Sequence, residues 1–367
     1  MRLESIRIAN FRNHILLEFE PGPSITVIHG RNGTGKTSIL EAVHYCSLTR
    51  GFSGSTDRDC LTFGSSYFSI RGSFISDRTS KTEIRITYST EDEKRVFVND
   101  QEIDSFSRHV GAIPCVTFTP CELSIVSGPP SERRRFIDSA ICQHDRKYLA
   151  DMMQYRRVLQ QRNALLSTGI DSPSTMAAFD IWTDQLAALA AMILVSRIGF
   201  IRKFEALFRK IYSWFPGDTE PQMVYQSSYG KFEHELGCDG LIDIFRSRYQ
   251  NLKSQEIQRR QTLAGPHRDD LLLLSDGHET RRFASQGEQR SYLIAMKMAL
   301  RSYLYEETGE HPIILFDDLF SELDPVVEEK IIDSLSSFGQ VLITSTVKIN
   351  GSGIVHYPIK KDLENRE

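Results

Sequence analysis

The sequence predicts an α/β fold: a phosphate-loop domain on a mixed sheet with a β-rich subdomain, interrupted by a helical lobe. Three observations carry this expectation. An apolar run, SITVI, feeds directly into HGRNGTGKTS at residues 29–38. A second apolar run, IILFDD at 313–318, ends in two carboxylates. Between the two lies a long stretch whose apolar residues recur at helical spacing.

Taken in order, residues 3–9, 15–19 and 24–29 read as short strands, the last wholly apolar. KTSILEAVHYCSL then reads as a helix. Residues 66–75, 82–89 and 95–99 alternate and are rich in β-branched and aromatic side chains, as half-buried strands require. VFVNDQEI carries an Asn-Asp turn signal, so a hairpin is expected there. IPCVTF is a further strand, ended by Pro120. Gly128-Pro129-Pro130 closes this part. The next stretch, to about Gln261, is mostly helical. Trp182, Leu186, Leu189, Ile193, Phe200, Phe204, Phe208 and Ile211 form one stripe, about 45 Å long at the helical rise. TGIDSPS and FPGDTEP are its breakers. After GPHRDD the α/β pattern returns. Strand DLLLL has a hairpin partner near ETRRF. A helix over 285–305 follows, with Leu293, Met296, Leu300 and Tyr303 on one face. Then come strand PIILFDD, helix PVVEEKIIDSL, strand QVLITS and the segment GIVHYPI. The expected domains are therefore 1–128 with 262–367, one discontinuous domain, and 129–261, a helical lobe.

The 367 residues suffice for two or three lobes. A net charge of −4 does not advertise nucleic-acid binding, so any such surface must be a local patch. The first residues, MRLESIRIANFRNH, lack the apolar core of a secretory signal. The apolar run LAALAAMILV is too short to span a bilayer. Six cysteines show no CxxC pairing or zinc spacing and read as reduced thiols. A cytoplasmic protein without a membrane partner is expected.

Gly30-x4-Gly35-Lys36-Thr37 is a full Walker A match between a strand and a helix. Gly30, Arg31, Asn32, Gly33, Thr34, Gly35, Lys36, Thr37 and Ser38 form the expected ATP cradle. Its glycines let backbone amides turn toward phosphate oxygens, and the helix dipole adds to them. Lys36 is placed to reach the β- and γ-phosphates. Thr37 and Asp317 are the expected Mg²⁺ ligands, with Asp317 at the carboxyl end of its strand. Asp318 is expected to orient or deprotonate the attacking water. No guanine-reading N/TKxD motif occurs.

Ala284-Ser285-Gln286-Gly287-Glu288 opens a long amphipathic helix and resembles the signature of ABC-type ATPases. A serine and backbone amides at a helix N-terminus make an anion site. In the ABC class that it resembles, this site covers the γ-phosphate held by a second subunit, so Ser285, Gln286, Gly287 and Glu288 are expected to act in trans. A plain helix cap from Ser285 with Glu288 explains the same residues and is compatible with that role. SELD, with Ser321 and Asp324, looks like the D-loop crossing the same interface. The order Walker A, signature, Walker B, D-loop gives the full fold expectation: a P-loop ABC-type ATPase head with a helical lobe between Walker A and the signature. The wide separation of those two motifs matches SMC-like heads, and the lobe is too short for a coiled-coil arm. The alternative is the nucleotide-binding subunit of an ABC transporter, which predicts a closer signature and a switch histidine.

The segments NFRNH, GRNGTGKTSILEAV, SGPPSERRRFID, LAGPHRDDL, SQGEQRS and FDDLFSELD together resemble the RecF family of bacterial recombination-mediator ATPases. The resemblance covers almost the whole chain. It implies an ATP-dependent homodimer and a weak, DNA-stimulated ATPase. It implies binding to single-stranded, gapped or junction DNA with RecR and RecO, and help in loading RecA. It also implies links to replication and the SOS response. The sequence departs from transporter patterns: Ala284 stands where leucine is usual, and Asp318 where glutamate is. VLITST lacks the switch histidine, leaving Thr344 or Thr346 as a γ-phosphate sensor.

DNA contacts are expected from Arg133, Arg134 and Arg135 and from Arg156 and Arg157, with Arg162, Arg259, Arg260, Arg281 and Arg282 as further basic positions. A solvated face or an internal ion-pair network explains such runs equally well. No base-reading motif appears, so binding is expected to be independent of sequence.

Overall fold

Alternating and continuous apolar runs fold into different sheets. The computed structural model describes residues 1–215, 219–230, 237–318, 331, 335, 338–349, 351 and 353–359. The chain divides into two units: Met1–Val126, Leu207–Asp218 and Ser285–Glu367 form the first, Ser127–Ala206 and Thr219–Ala284 the second.

In the first unit, strands β1 (Arg2–Phe11), β2 (His14–Phe19), β4 (Tyr67–Ile75), β5 (Lys81–Ser89), β6 (Arg95–Val98) and β7 (Gln101–Glu102) form an antiparallel sheet in the order β2-β1-β4-β5-β6-β7. Their two-residue period buries Ile6, Ile8, Phe68, Ile70, Phe74, Ile84, Ile86 and Val96 on one face. The continuous apolar strands make a second sheet. There β3 (Ile25–His29), β8 (Cys115–Phe118), β12 (Ile313–Asp317), β13 (Val341–Ser345) and β14 (Ile354–Pro358) are all parallel, in the order β14-β3-β13-β12-β8. Both faces of β12 and β13 are buried, which is why those strands do not alternate. The expected mixed sheet is thus two sheets, one of each kind. Helix α1 (Lys36–Leu48) packs on strands of both, so it is buried almost all round rather than amphipathic.

The second unit holds helices α3 (Pro130–Cys142), α4 (Arg146–Thr168), α6 (Cys238–Arg259) and most of α5 (Pro173–Tyr212), the short α2 (Ser124–Ser127) ending just at its start. Leu186, Leu189, Ile193, Phe200, Phe204, Phe208 and Ile211 of α5 are buried, as the stripe requires. By length and composition alone α5 could cross a membrane; its apolar positions are instead largely buried inside the protein.

The division differs from the expected one in that Leu207–Asp218 falls in the first unit and the second boundary lies at Ser285. Residues 262–284 belong with the helical unit because β10 (Asp270–Ser275) pairs along its length with β9 (Pro221–Gln226), a strand inside the insertion. PQMVYQ starts with proline, follows a breaker and is too short for periodicity to reveal. The hairpin partner of β10 is only β11 (His278–Glu279); Thr280–Phe283 turns into a short helix, α7. Helix α8 (Gln286–Thr308) then opens the return to the first unit.

Candidate functional site

Strand β3 delivers the phosphate loop at its carboxyl end, and α1 starts at Lys36. Two glycines are fixed there by space. A Cβ on Gly30 would stand 2.6 Å from the Ile359 carbonyl oxygen. Gly35 has φ +91° and its Cβ would stand 2.5 Å from His14 Nε2. The amides of Gly33, Thr34, Gly35, Lys36 and Thr37 meet no backbone acceptor among the described residues. At the head of a 13-residue helix, five such donors suit a polyphosphate. Arg31, Asn32 and Gly33 are exposed at the tip; Thr34 donates to the Arg31 carbonyl at 2.9 Å, and Ser38 is buried behind the loop. Lys36 is 8% exposed and its ammonium donates to the carbonyls of Gly30 and Arg31 at 2.8 and 3.0 Å.

The two halves of the motif set meet at one carboxylate. Thr37 Oγ1 donates to Asp317 Oδ1 at 2.7 Å across the 280 residues that separate them. Burial pushes the Asp317 carboxyl above the ordinary carboxylate range, and hydrogen bonds from Thr37 and Thr344 oppose that rise. A hydroxyl and a carboxylate at this separation are the hard oxygen donors Mg²⁺ takes, with the remaining positions left to phosphate and water. Asp318 follows at φ +48°, exposed at the strand's end.

Residues that spacing alone did not assign complete the loop's outer wall. The β1–β2 turn carries Asn13, whose amide donates to the Gly33 carbonyl at 3.4 Å. His14 Nε2 lies 3.0 Å from the Gly35 carbonyl oxygen, so this nitrogen carries the proton. Arg12 ties the turn to α1 through a two-pronged contact with Glu41 at 2.7 Å per bond. NFRNH was visible as a motif; what it touches was not.

Ser285 caps α8. Its oxygen accepts from the Glu288 amide at 3.2 Å, and its own amide donates to the Glu288 carboxylate at 2.6 Å. That hydrogen bond holds the Glu288 pKa below the ordinary range. Ser285, Gln286, Gly287 and Glu288 are all exposed, and the serine hydroxyl proton remains available to a further acceptor. The cap reading therefore holds and leaves the exposed helix end open. Ser321 and Asp324 lie outside the described residues.

The arginine expectations divide. Arg133 is a correction: it is 3% exposed, grips both oxygens of Asp270 at 2.8 and 2.9 Å, and donates to the Gly128 carbonyl. Buried and clamped on a carboxylate, it is not placed as a phosphate contact. Arg134 donates to the Asp269 carbonyl at 2.7 Å and is half-buried. Arg162 is wholly buried against Glu256, Thr183 and Thr262. Arg135 is exposed beside Glu132, and Arg156 and Arg157 are exposed with no ion pair among the described residues. The segments RRRFID and GPHRDD thus serve each other: Arg197 binds Asp138 and the Pro266 carbonyl, while Tyr225 donates to Asp269.

Residues 5–190 match the AAA domain family. The DNA replication and repair protein RecF of Chlorobaculum tepidum is 56% identical over 367 residues, covering all of both chains. The chain belongs to the RecF family. The RecF of Chlorobaculum parvum is 57% identical over 354 residues, 96% of each chain. A solved structure of the recombination mediator protein RecF-ATP of the RecFOR pathway superposes with TM-score 0.90 at 29% identity, over 96% of this chain and 95% of that one. An Smc head bound to the C-terminal winged-helix domain of ScpA shares the fold, with TM-score 0.52 over 94% and 90% at 14% identity. Family membership and the shared fold make this chain an ABC-type ATPase head that binds ATP, and they disfavour the transporter-subunit alternative.

Proposed function

We propose that this chain is an ATP-dependent DNA-binding protein of recombinational repair and replication, in which nucleotide joins two copies. The observation that carries the reading is the meeting of Thr37 and Asp317 at the lip of an amide-lined loop, on a chain whose relatives are RecF proteins. Bound Mg²⁺ supplies charge neutralisation at the phosphates, held by Thr37 and Asp317. Lys36 binds the β- and γ-phosphates. Asp318 orients the attacking water, and with a carboxylate one methylene shorter than glutamate turnover is slow. The Ser285–Glu288 helix end of one copy covers the terminal phosphate held by the other, with Ser321 and Asp324 beside it. Nucleotide that favours the pair over the single chain drives assembly, and loss of the γ-phosphate reverses it.

DNA is held without base reading by exposed arginines, with Arg135, Arg156 and Arg157 as candidates. Single-stranded, gapped or junction DNA is the expected substrate, RecR and RecO the expected partners. Loading of RecA and SOS induction are the expected consequences, in the cytoplasm.

Mixing two variants tests the shared site. Lys36→Ala and Ser285→Arg each lack DNA-stimulated ATP turnover. Mixed, they form pairs with one intact composite site, and turnover returns. No recovery on mixing, or full turnover by Ser285→Arg alone, overturns the reading.

A further inference from the structure

We infer that Thr344 is a positioning residue for the magnesium-binding carboxylate, not a γ-phosphate sensor. The inference rests on the nucleotide-site reading above. Thr344 lies on β13, directly opposite Asp317 in the parallel pairing of β12 with β13, so the two side chains share a face. It is 1% exposed. Its hydroxyl has one proton to give, and Asp317 Oδ1 stands 2.8 Å away. The Phe316 carbonyl, at 3.5 Å, is too far to compete. The Thr344 hydroxyl oxygen in turn accepts the Asp318 amide at 3.0 Å.

That second bond matters because of the backbone. Asp318 is left-handed, at φ +48°, a conformation that Asp adopts more readily than most L-residues but that still gains from a fixed hydrogen bond. The chain leaves the sheet at this point, and the Thr344 oxygen receives the amide that the turn frees. One hydroxyl therefore fixes both Walker B residues: the carboxylate of Asp317 through the donated proton, the turn into Asp318 through the accepted one. A β-branched side chain suits the task, since its χ1 has few alternatives inside a buried strand. Thr37 and Thr344 converge on the same Oδ1, from the phosphate-loop helix and from the adjacent strand. Thr37 is placed to trade this bond for a metal; Thr344, one strand inward, keeps its bond when that happens. A group whose only proton is committed to Asp317 has none for a γ-phosphate.

The test uses the full chain with Thr344→Val, which keeps the shape and loses the hydroxyl, and Thr344→Ser, which keeps the hydroxyl. In nucleotide-free protein, hydrogen exchange at the Asp318 amide should be at least about tenfold faster in Thr344→Val and near wild type in Thr344→Ser. By calorimetry, the Mg²⁺ concentration at half-maximal nucleotide binding should rise about tenfold in Thr344→Val, the usual scale for losing a ligand's hydrogen-bond partner. The rise should be alike for ATP and ADP, because Asp317 serves both. If Thr344→Val does not fold, Thr344→Ala takes its place. A midpoint within twofold of wild type, a loss confined to ATP, or a Thr344→Ser protein as impaired as Thr344→Val each overturns the inference. Wild-type protein that binds neither nucleotide in the presence of Mg²⁺ brings down the nucleotide-site reading, and the inference with it.

Discussion

The phosphate loop and the arginine-rich helical unit carry motifs of equal prominence, yet only one could be interpreted from spacing. Residues 30–38 present backbone amides at a helix start, which their own local sequence creates. Arg133, Arg134 and Arg162 act through whatever the fold brings to them, and it brings Asp270, the Asp269 carbonyl and Glu256. A loop motif states its chemistry; a charge run states only that a partner is needed.

The largest effect expected from breaking this contrast lies in the loop. Lys36→Ala removes the phosphate cation, and ATP binding by calorimetry should fall at least 100-fold, with ATP-dependent pairing lost by light scattering. Normal pairing would show that the loop, too, depends on distant partners. Next is Arg162→Ala. It leaves Glu256 charged, buried and unpaired, and should cost roughly 3–5 kcal/mol in denaturant unfolding. A cost below 1 kcal/mol would return Arg162 to the candidate surface. Removing Arg156 and Arg157 together should instead leave stability within about 0.5 kcal/mol. It should weaken DNA binding several-fold and lower the log–log salt slope by roughly 1–2. An unchanged slope would remove this pair from the DNA surface.

A separate effect, spread over a pH range, concerns protonation within the helical unit. Burial pushes the His267 imidazole down to about 4. Between its ordinary value near 6.5 and about 4, the unfolded chain binds a proton that the folded chain refuses. Stability therefore falls as pH drops through that window, by up to about 1.4 kcal/mol per unit from this group. His267→Gln should flatten the slope in urea unfolding between pH 6.5 and 4; an unaltered slope would mean that the ring is not held neutral.

The same division marks what was legible in the fold. The continuous runs of β3 and β12 and the stripe on α5 declare themselves, because burial on two faces or one stripe sets the residue pattern. β9 did not, since six residues beginning with proline gain strand character only by pairing with β10. The role of Asn13 and His14 was hidden because a turn in one sheet meets a loop that belongs to another. Thr344 was noticed as a hydroxyl near the nucleotide strand; that it lies 2.8 Å from Asp317 Oδ1 was not legible. Register between β12 and β13 decides that partner, and register is a property of the assembled sheet.

The order of the parallel sheet has a consequence for how the protein is made. β3 is translated well before both of its neighbours in the sheet, β13 and β14, which follow β12 in the chain. Until they emerge, a nascent chain holds the complete Walker A sequence on a strand with two naked edges, and Ile359 is not yet there to fence Gly30. The phosphate loop, local in sequence, thus takes its flanking strands and the Ile359 fence from segments about 300 residues further along.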